Sequence, residues 1–463
     1  MHATVIAELA RLLPADRLRT DPADCWAYGY DNSKRHHPPE AVCFPLDHAE
    51  VRAIVRLCHA RRVPLTVRGL ASNTTGAAVP VAGGVVLALE RMNQIISVDA
   101  ANRVAVVQPG VTNQQLQDAA GAAGFFWPPD PTSAAFSTVG GNLACNSAGP
   151  RAVKYGTTRD NTLGLRAISG DGTELRTGVY TTKGVVGYDF TRLLIGSEGT
   201  LAVITEATLK LAPLPEAKRT LRAVYRDMTA AASAVTRIMA QPVTPCALEF
   251  IDGAAINMIR DYAETDLPQD AGALLMIEVD GLASQLGGSV IAIEQAARGE
   301  GLLEIRAARD AAESQALWAA RKALSPALRN IAPRKINEDV VVPVSRMAEL
   351  IGGLQAITQR HGITNVNFGH AGNGNIHVNL LVDPDDPAQA VQAEPCLREV
   401  FDMVLSLGGT LSGEHGIGLV KKEYVGLEIE PATLELMRRV KQQFDPAGIL
   451  NPGKFFPDQG QEF

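Results

Sequence analysis

At about 100–200 residues per domain, 463 residues make two or three domains, and 46% hydrophobic against 20% charged residues excludes a disordered chain. A formal charge of −7 with no dense Lys/Arg run excludes the electrostatic footprint of a nucleic-acid binder, and no stretch reaches the roughly 20 apolar residues of a membrane-spanning helix. Six scattered cysteines (Cys25, Cys43, Cys58, Cys145, Cys246, Cys396) without a C-x-x-C pair exclude a cysteine-built iron–sulfur or zinc centre and suit a reducing cytoplasm.

The first twenty residues mix Glu, Asp and Arg into an apolar pattern, which predicts a surface helix and lacks a secretory core. Residues 48–61 set Val51, Ile54, Val55 and Cys58 on one helical face. Pro64–Val67 predicts a short buried strand running into the glycine-rich 69–78, and Val85–Leu89 and Val104–Val107 predict two more. Thr112 is the expected N-cap of a helix over 112–120. The segment 127–150 is nearly all turn chemistry, and strand-like runs return at 165–169 and 201–211.

The Pro-rich, polar 212–218 predicts a domain junction. Beyond it, strands at 221–225, 247–251 and 274–279 alternate with helices at 228–240, 254–262 and 286–298, an α+β pattern. A long helix over 310–330, a strand at Asp339–Val342 and a helix over 345–361 follow. Val366–Gly369 and Ile376–Leu381 predict two strands around a Gly/Asn turn, and helices over 387–407 and up to Phe444 close the chain.

The 42 glycines crowd into 69–84, 140–200 and 362–418, and clustered glycine marks backbone folded closely around a ligand. Common motifs are absent. No G-x-G-x-x-G follows a strand, there is no G-x-x-x-x-G-K-[ST], no G-x-S-x-G and no H-E-x-x-H. In Arg68-Gly69-Leu70-Ala71-Ser72-Asn73-Thr74, small and hydroxyl residues after a strand let successive backbone N–H groups converge on a pyrophosphate; the alternative is an ordinary polar loop. A second loop runs through Pro129, Asp130, Thr138, Gly140, Gly141, Asn142, Ser147 and Gly149, and two such loops suit a long ligand with phosphates at its middle.

The run PPDPTSAAFSTVGGNLACNSAGPRAVKYGTTRDN, with GYDFTRLLIGSEGTLAVITEATLKL after it, resembles the FAD-linked oxidases of the vanillyl-alcohol-oxidase / p-cresol-methylhydroxylase fold. The similarity is closest to the D-lactate, glycolate and D-2-hydroxyglutarate dehydrogenase branch, and spans residue 40 to the NPGKFF at 451–456. It implies an α+β protein: a two-part, p-cresol-methylhydroxylase-type FAD-binding domain over 1–215 (core 38–214), an α+β substrate or cap domain with an antiparallel sheet and a metal site over 216–425, and a C-terminal helix and tail over 426–463 returning to the first domain. It also implies pyrophosphate against the 69–75 loop, the flavin ring packed by the 129–149 loop, the adenine side closed by the 196–205 segment, and cofactor contacts that include Arg68, Glu198, Gly199, Ile204 and Asn451. The sequence departs from the pattern at Leu70, Ala71 and Asn73, where many members carry smaller residues or glycine. Neither loop has a His where relatives attach flavin covalently, so non-covalent FAD is expected.

Three of nine histidines fall at His370, His377 and His415, in HAGNGNIH and SGEHG. Two imidazoles flanking a tight turn, with Glu414, form a nitrogen/oxygen donor set suited to Zn²⁺ or Mn²⁺; taken singly, each reads equally as a hydrogen-bonded turn histidine. A non-haem iron oxygenase also uses two His and a carboxylate, but leaves the flavin loops unexplained. The resemblance implies that His370, His377 and Glu414 are metal ligands and His415 the catalytic base. An imidazole with an ordinary pKa of about 6.5 can take a proton at neutral pH. It further implies that Arg321, in a Trp-x-x-Arg helix, binds the substrate carboxylate, with Ser325, Lys335 and Asn379 as further substrate-side candidates. Lys322 and Arg334 read as solvated surface charges.

The expectation is a metal-assisted, FAD-dependent oxidation of a D-2-hydroxy acid of the D-lactate or D-2-hydroxyglutarate type to the 2-oxo acid, with hydride passing to flavin N5. Electrons then leave to an external acceptor, an electron-transfer flavoprotein, quinone or cytochrome, since the chain has no second redox centre. The alternative is the flavin subunit of a glycolate-oxidase-type complex that needs an iron–sulfur partner. Either suits a cytoplasmic protein, a homodimer included, or one held at the inner membrane by its acceptor.

Overall fold

The computed structural model describes residues 3–262, 267–328 and 334–458. They form two compact units: Met1–Ala148, Gly156–Leu214 and Glu414–Phe463 make the first, Gly149–Tyr155 and Pro215–Gly413 the second. Among the described residues no helix is long and apolar enough to cross a membrane.

The first unit holds two main sheets. Leu18–Arg19, Ala41–Cys43, Val85–Ala88 and Leu65–Arg68 lie side by side in that order, the last three parallel. The helix His48–Arg61 begins on the Asp47 side chain, which accepts the Glu50 amide, and buries Val51, Ile54, Val55 and Cys58, as the 3.6-residue period required. Val5 and Leu9 of the Ala3–Leu12 helix join that core. The second sheet is antiparallel, in the order Ile95–Asp99, Val104–Val107, Ala202–Lys210, Thr162–Ser169, Glu174–Gly178. Against it packs Asn113–Ala122, whose Thr112 and Gln115 form a reciprocal capping box.

The second unit is built on seven antiparallel strands, in the order Leu302–Ala307, Ala217–Tyr225, Ala273–Gly281, Ala247–Asp252, Thr364–His370, Asn375–Val382, Arg334–Val341. Apolar residues from Val224, Ile251, Leu274, Met276, Val366, Phe368 and Leu381 form a core with the helices Gly253–Tyr262 and Ala311–Ala327. The α+β architecture expected from the sequence is the one found, with a large antiparallel sheet in the second unit.

Several elements depart from the sequence reading. Within 127–150, expected to be turns, Val139–Cys145 is helical, with Thr138 as its cap. Gly140 and Gly141 are poor helix formers and masked it; Gly140 is there because a Cβ would sit 2.6 Å from Pro109. The strand expected at Asp339–Val342 starts earlier, at Arg334, because it pairs along its length with 375–382. Ile95–Asp99 and Leu302–Ala307 were not expected at all. Both are sheet edges whose residues are partly buried or exposed throughout, so the alternation that announces a strand is weak. Of the helix expected over 310–330, residues 329 and 330 lie outside the described residues.

The turn between 364–370 and 375–382 requires glycine. Gly374 has φ +69°, and a Cβ there would lie 2.0 Å from the Val342 carbonyl oxygen. Gly362 has φ +65° but faces open space. Gly362→Ala should therefore cost about 1–2 kcal/mol from the left-handed backbone alone, and Gly374→Ala roughly 3 kcal/mol or more. Denaturant unfolding of the two variants checks this, and equal losses would contradict the account.

Candidate active site

Strand register decides which side chains of the second unit meet. Residues directly opposite across a ladder share a face, and so do i and i+2. Glu249 pairs with His370, Phe368 with His377, His377 with Asp339, and Asn379 with both Val366 and Asn337. Glu249, His370, His377, Asn379 and Lys335 therefore share one face of the sheet. The rings of His370 and His377 stand edge to face with centroids 5.1 Å apart.

Glu249 is 1% exposed and uses both oxygens. One lies 2.5 Å from His370 Nδ1 and the other 2.8 Å from a terminal nitrogen of Arg321. A hydrogen on Nδ1 directed at a carboxylate leaves Nε2 as the lone-pair nitrogen, which is how second-layer carboxylates orient metal-binding histidines. Arg321, on the Ala311–Ala327 helix, is 8% exposed, with its Cζ 4.7 Å from the centre of the Phe368 ring. Its Nε is buried without a hydrogen-bond partner among the described residues.

Asp339, fully buried, fixes the approach of the SGEHG segment. Its side chain accepts from Ser412 Oγ at 3.1 Å and from the Gly413 amide at 2.9 Å, and its carbonyl accepts that amide as well, at 2.8 Å. A Cβ on Gly413 would meet the Asn375 side chain at 2.5 Å. Glu414 follows directly. His370, His377 and Glu414 each offer a ligand atom, and these atoms lie within 4.8 Å of one another. Atoms sharing a zinc ion at bond lengths near 2.0–2.2 Å stand at most about 4.4 Å apart, so this candidate set is slightly wider than a bound ion requires. Glu414 Oε2 also accepts the Ala148 amide at 3.1 Å.

The other substrate-side candidates fare differently. Lys335 is half-buried on the strand beside Leu381. Asn379 is fully buried and heavily used: its Nδ2 donates to the Val366 and His377 carbonyls, and its oxygen accepts from Asn337 at 2.6 Å. Ser325 keeps its helical position, but its side chain lies outside the described residues. Lys322 and Arg334 are exposed, as surface charges should be.

In the first unit the two glycine loops touch. A Cβ on Gly69 would lie 2.4 Å from Thr138 Oγ1, the atom that caps the Val139–Cys145 helix through the Gly141 amide. Asn142 is tied to Asn113, which also holds the Pro129 carbonyl, and the Asp130 amide donates to Ala148. Ser147 is pinned through its carbonyl by the Thr158 hydroxyl at 2.5 Å. Asn451 ties the C-terminal segment in, accepting from Val67 N at 3.0 Å and donating to the Glu198 carbonyl at 2.5 Å; Gly199 and Ile204 follow on that segment. Ala71, Glu198 and Asn451 all have positive φ (53°, 52° and 43°), so the departure from glycine at Ala71 carries real strain. Gly149 begins the short piece that belongs to the second unit.

Comparison with known proteins gives this geometry its context. The family described as "FAD linked oxidases, C-terminal domain" matches residues 214–455, and "FAD binding domain" matches 39–178. The chain belongs to the FAD-linked oxidase family. It is similar to the glycolate oxidase subunit GlcD of Bacillus subtilis (strain 168), 39% identical over 430 residues that cover 93% of this chain and 92% of the relative. A D-lactate dehydrogenase of Anaerostipes hadrus is 33% identical over 426 residues, covering 90% and 89%. The solved structure of p-cresol methylhydroxylase with substrate bound shares the fold, with a TM-score of 0.80 at 17% identity over 99% of this chain and 98% of that one.

The residues present fit the FAD of the family, and they also offer a candidate site for a divalent metal. Around the first loop, Arg68 Nε and Thr75 Oγ1 are buried without hydrogen-bond partners, donors suited to an anionic ligand. The His/His/Glu set suits a borderline-soft divalent cation. Two residues here escaped the sequence reading, Glu249 and Asp339. Replacing Glu249 by Gln keeps the shape but removes the charge that orients His370, and should weaken Zn²⁺ or Mn²⁺ binding about 10–100-fold. Metal titration of the purified protein checks this, and unchanged affinity would contradict it.

Proposed function

We propose that this FAD-linked oxidase oxidises a 2-hydroxy acid to the 2-oxo acid as the flavin-carrying subunit of a glycolate-oxidase-type assembly. One observation supports the chemistry: Arg321 and His370 share the two oxygens of the buried Glu249. The subunit reading draws support from the similarity to GlcD proteins, 39% identical in Bacillus subtilis and 34% in Escherichia coli (strain K12). When bound, FAD supplies a hydride acceptor and a divalent cation, Zn²⁺ in the first instance, polarises the substrate hydroxyl.

The chain's own residues do the rest. Arg321 holds the substrate carboxylate through its planar fork, with Glu249 fixing the guanidinium and Lys335 adding positive charge. Asn379 trims the same side, and Ser325 remains a substrate-side candidate by its sequence position. His370, His377 and Glu414 hold the cation, and His415 takes the hydroxyl proton as the C2–H bond is broken. Residues 68–74 and 129–149, with Glu198, Gly199, Ile204 and Asn451, bind the cofactor non-covalently. Electrons leave to an iron–sulfur partner. The second reading is a self-sufficient D-lactate- or D-2-hydroxyglutarate-type dehydrogenase, favoured by the similarity to D-lactate dehydrogenases and by the complete His/Glu/Arg set.

Anaerobic mixing with glycolate and with D- and L-lactate and 2-hydroxyglutarate should bleach the flavin for at least one acid; no bleaching by any 2-hydroxy acid would contradict the proposal. His415→Asn should slow bleaching about 10²–10⁴-fold with flavin content unchanged, and chelation should slow it reversibly. Turnover with an artificial acceptor separates the two readings. Little activity until an iron–sulfur partner is added supports the subunit, and full activity alone supports the dehydrogenase.

A further inference from the structure

The Asn451-Pro452-Gly453-Lys454 segment carries a buried ammonium that the chemistry above does not use. Lys454 is 3% exposed, and its Nζ has no hydrogen-bond partner among the described residues. Asp31 and Glu198 are the carboxylates whose charge it feels, and each already accepts two backbone amides. Asp31 accepts the Ser33 amide at 2.9 Å and the Ala78 amide at 3.2 Å; Glu198 accepts Ile417 N at 2.5 Å and Gly418 N at 2.8 Å. Burial pushes the lysine down to about 7, with those two carboxylates pulling the other way. A buried ammonium without a hydrogen-bond acceptor is poorly compensated, and a further anion beside it would hold it charged.

The position of Lys454 in the fold says which anion. The Phe455 amide donates to the Gly418 carbonyl at 3.0 Å. The next two amides, Leu419 and Val420, both donate to the Thr75 carbonyl, at 2.7 and 3.1 Å. The Asn32 amide, beside Asp31, donates to the Asn73 carbonyl at 3.0 Å. Lys454 is thus tied, within the first unit, to the glycine loop that the FAD reading assigns to the cofactor. On that loop Thr75 Oγ1 and Arg68 Nε are buried without partners as well. Three orphaned groups, each able to donate, gather on segments that meet at one loop, and that is the signature of a site for an anionic oxygen.

We propose that Lys454 anchors the flavin nucleotide, its ammonium pairing with an anionic oxygen of the cofactor: the pyrophosphate, or the N1–C2=O edge of the ring where charge gathers on reduction. The inference rests on the FAD reading. Its test uses the full chain with Lys454→Met and Lys454→Arg. FAD and ADP affinities are measured on apoprotein, sulfite affinity on flavin-loaded protein, and thermal unfolding on both.

A pyrophosphate contact predicts that Lys454→Met weakens FAD and ADP alike by about 10–100-fold. A ring contact predicts unchanged ADP binding and sulfite affinity about 10–100-fold lower, because sulfite addition places negative charge at that edge. Either supports the proposal if Lys454→Arg restores most of the effect and the apo Lys454→Met protein melts no lower than wild type. A buried lysine that merely supports the fold would instead lower the melting of apo and loaded protein together, and that overturns it. So does a variant with wild-type FAD, ADP and sulfite affinities. Wild-type protein that takes up no FAD fails the flavin reading itself and this inference with it, an outcome distinct from the other two.

Discussion

Glu249 is the point on which the candidate site of the second unit depends. Its two oxygens, 1% exposed, hold His370 at 2.5 Å and Arg321 at 2.8 Å. Removing one member of such a buried set costs about 3–5 kcal/mol, because the charges left behind are far from water. The proposed metal ligation and the proposed carboxylate recognition would therefore be one electrostatic arrangement. A change that reorients Arg321 also changes what His370 can offer a cation.

The seven-stranded sheet makes that arrangement possible. Because direct partners share a face, the pairings Glu249–His370, Phe368–His377 and His377–Asp339 bring side chains from four strands to one surface. The tight turn at Gly374 keeps the two histidines in register, and Asp339 fixes Ser412 and Gly413 so that Glu414 emerges at a defined place. In the first unit the same economy appears in backbone form. The Gly69 loop lies against the Thr138 cap, and the C-terminal Asn451 bridges Val67 and Glu198.

Much of this was legible in the sequence, for physical reasons. The face of 48–61, the capping residue Thr112 and the hairpin around AGNGN follow from local period and turn chemistry, and the Gly-flanked His and Glu residues stood out because few structural roles need that combination. Glu249 did not stand out. It is a lone acid in the apolar strand ALEFID, and its meaning exists only through a partner 121 residues away. Asp339 read as the start of a strand and proved to be an anchor. The helix at Val139–Cys145 was hidden because its glycines are chosen for close packing against Pro109 rather than for helix formation. Ala71, noted as a departure from glycine, sits in the left-handed region that glycine would occupy without strain.

The central claim is that His370, oriented by Glu249, joins His377 and Glu414 around one cation. X-ray absorption spectroscopy of the zinc-loaded protein tests it most directly. The account predicts a first shell of two imidazole nitrogens and carboxylate oxygen at about 2.0–2.2 Å, in which a 2-hydroxy acid changes the oxygen contribution and leaves both imidazoles in place. A shell without imidazole scattering would contradict it.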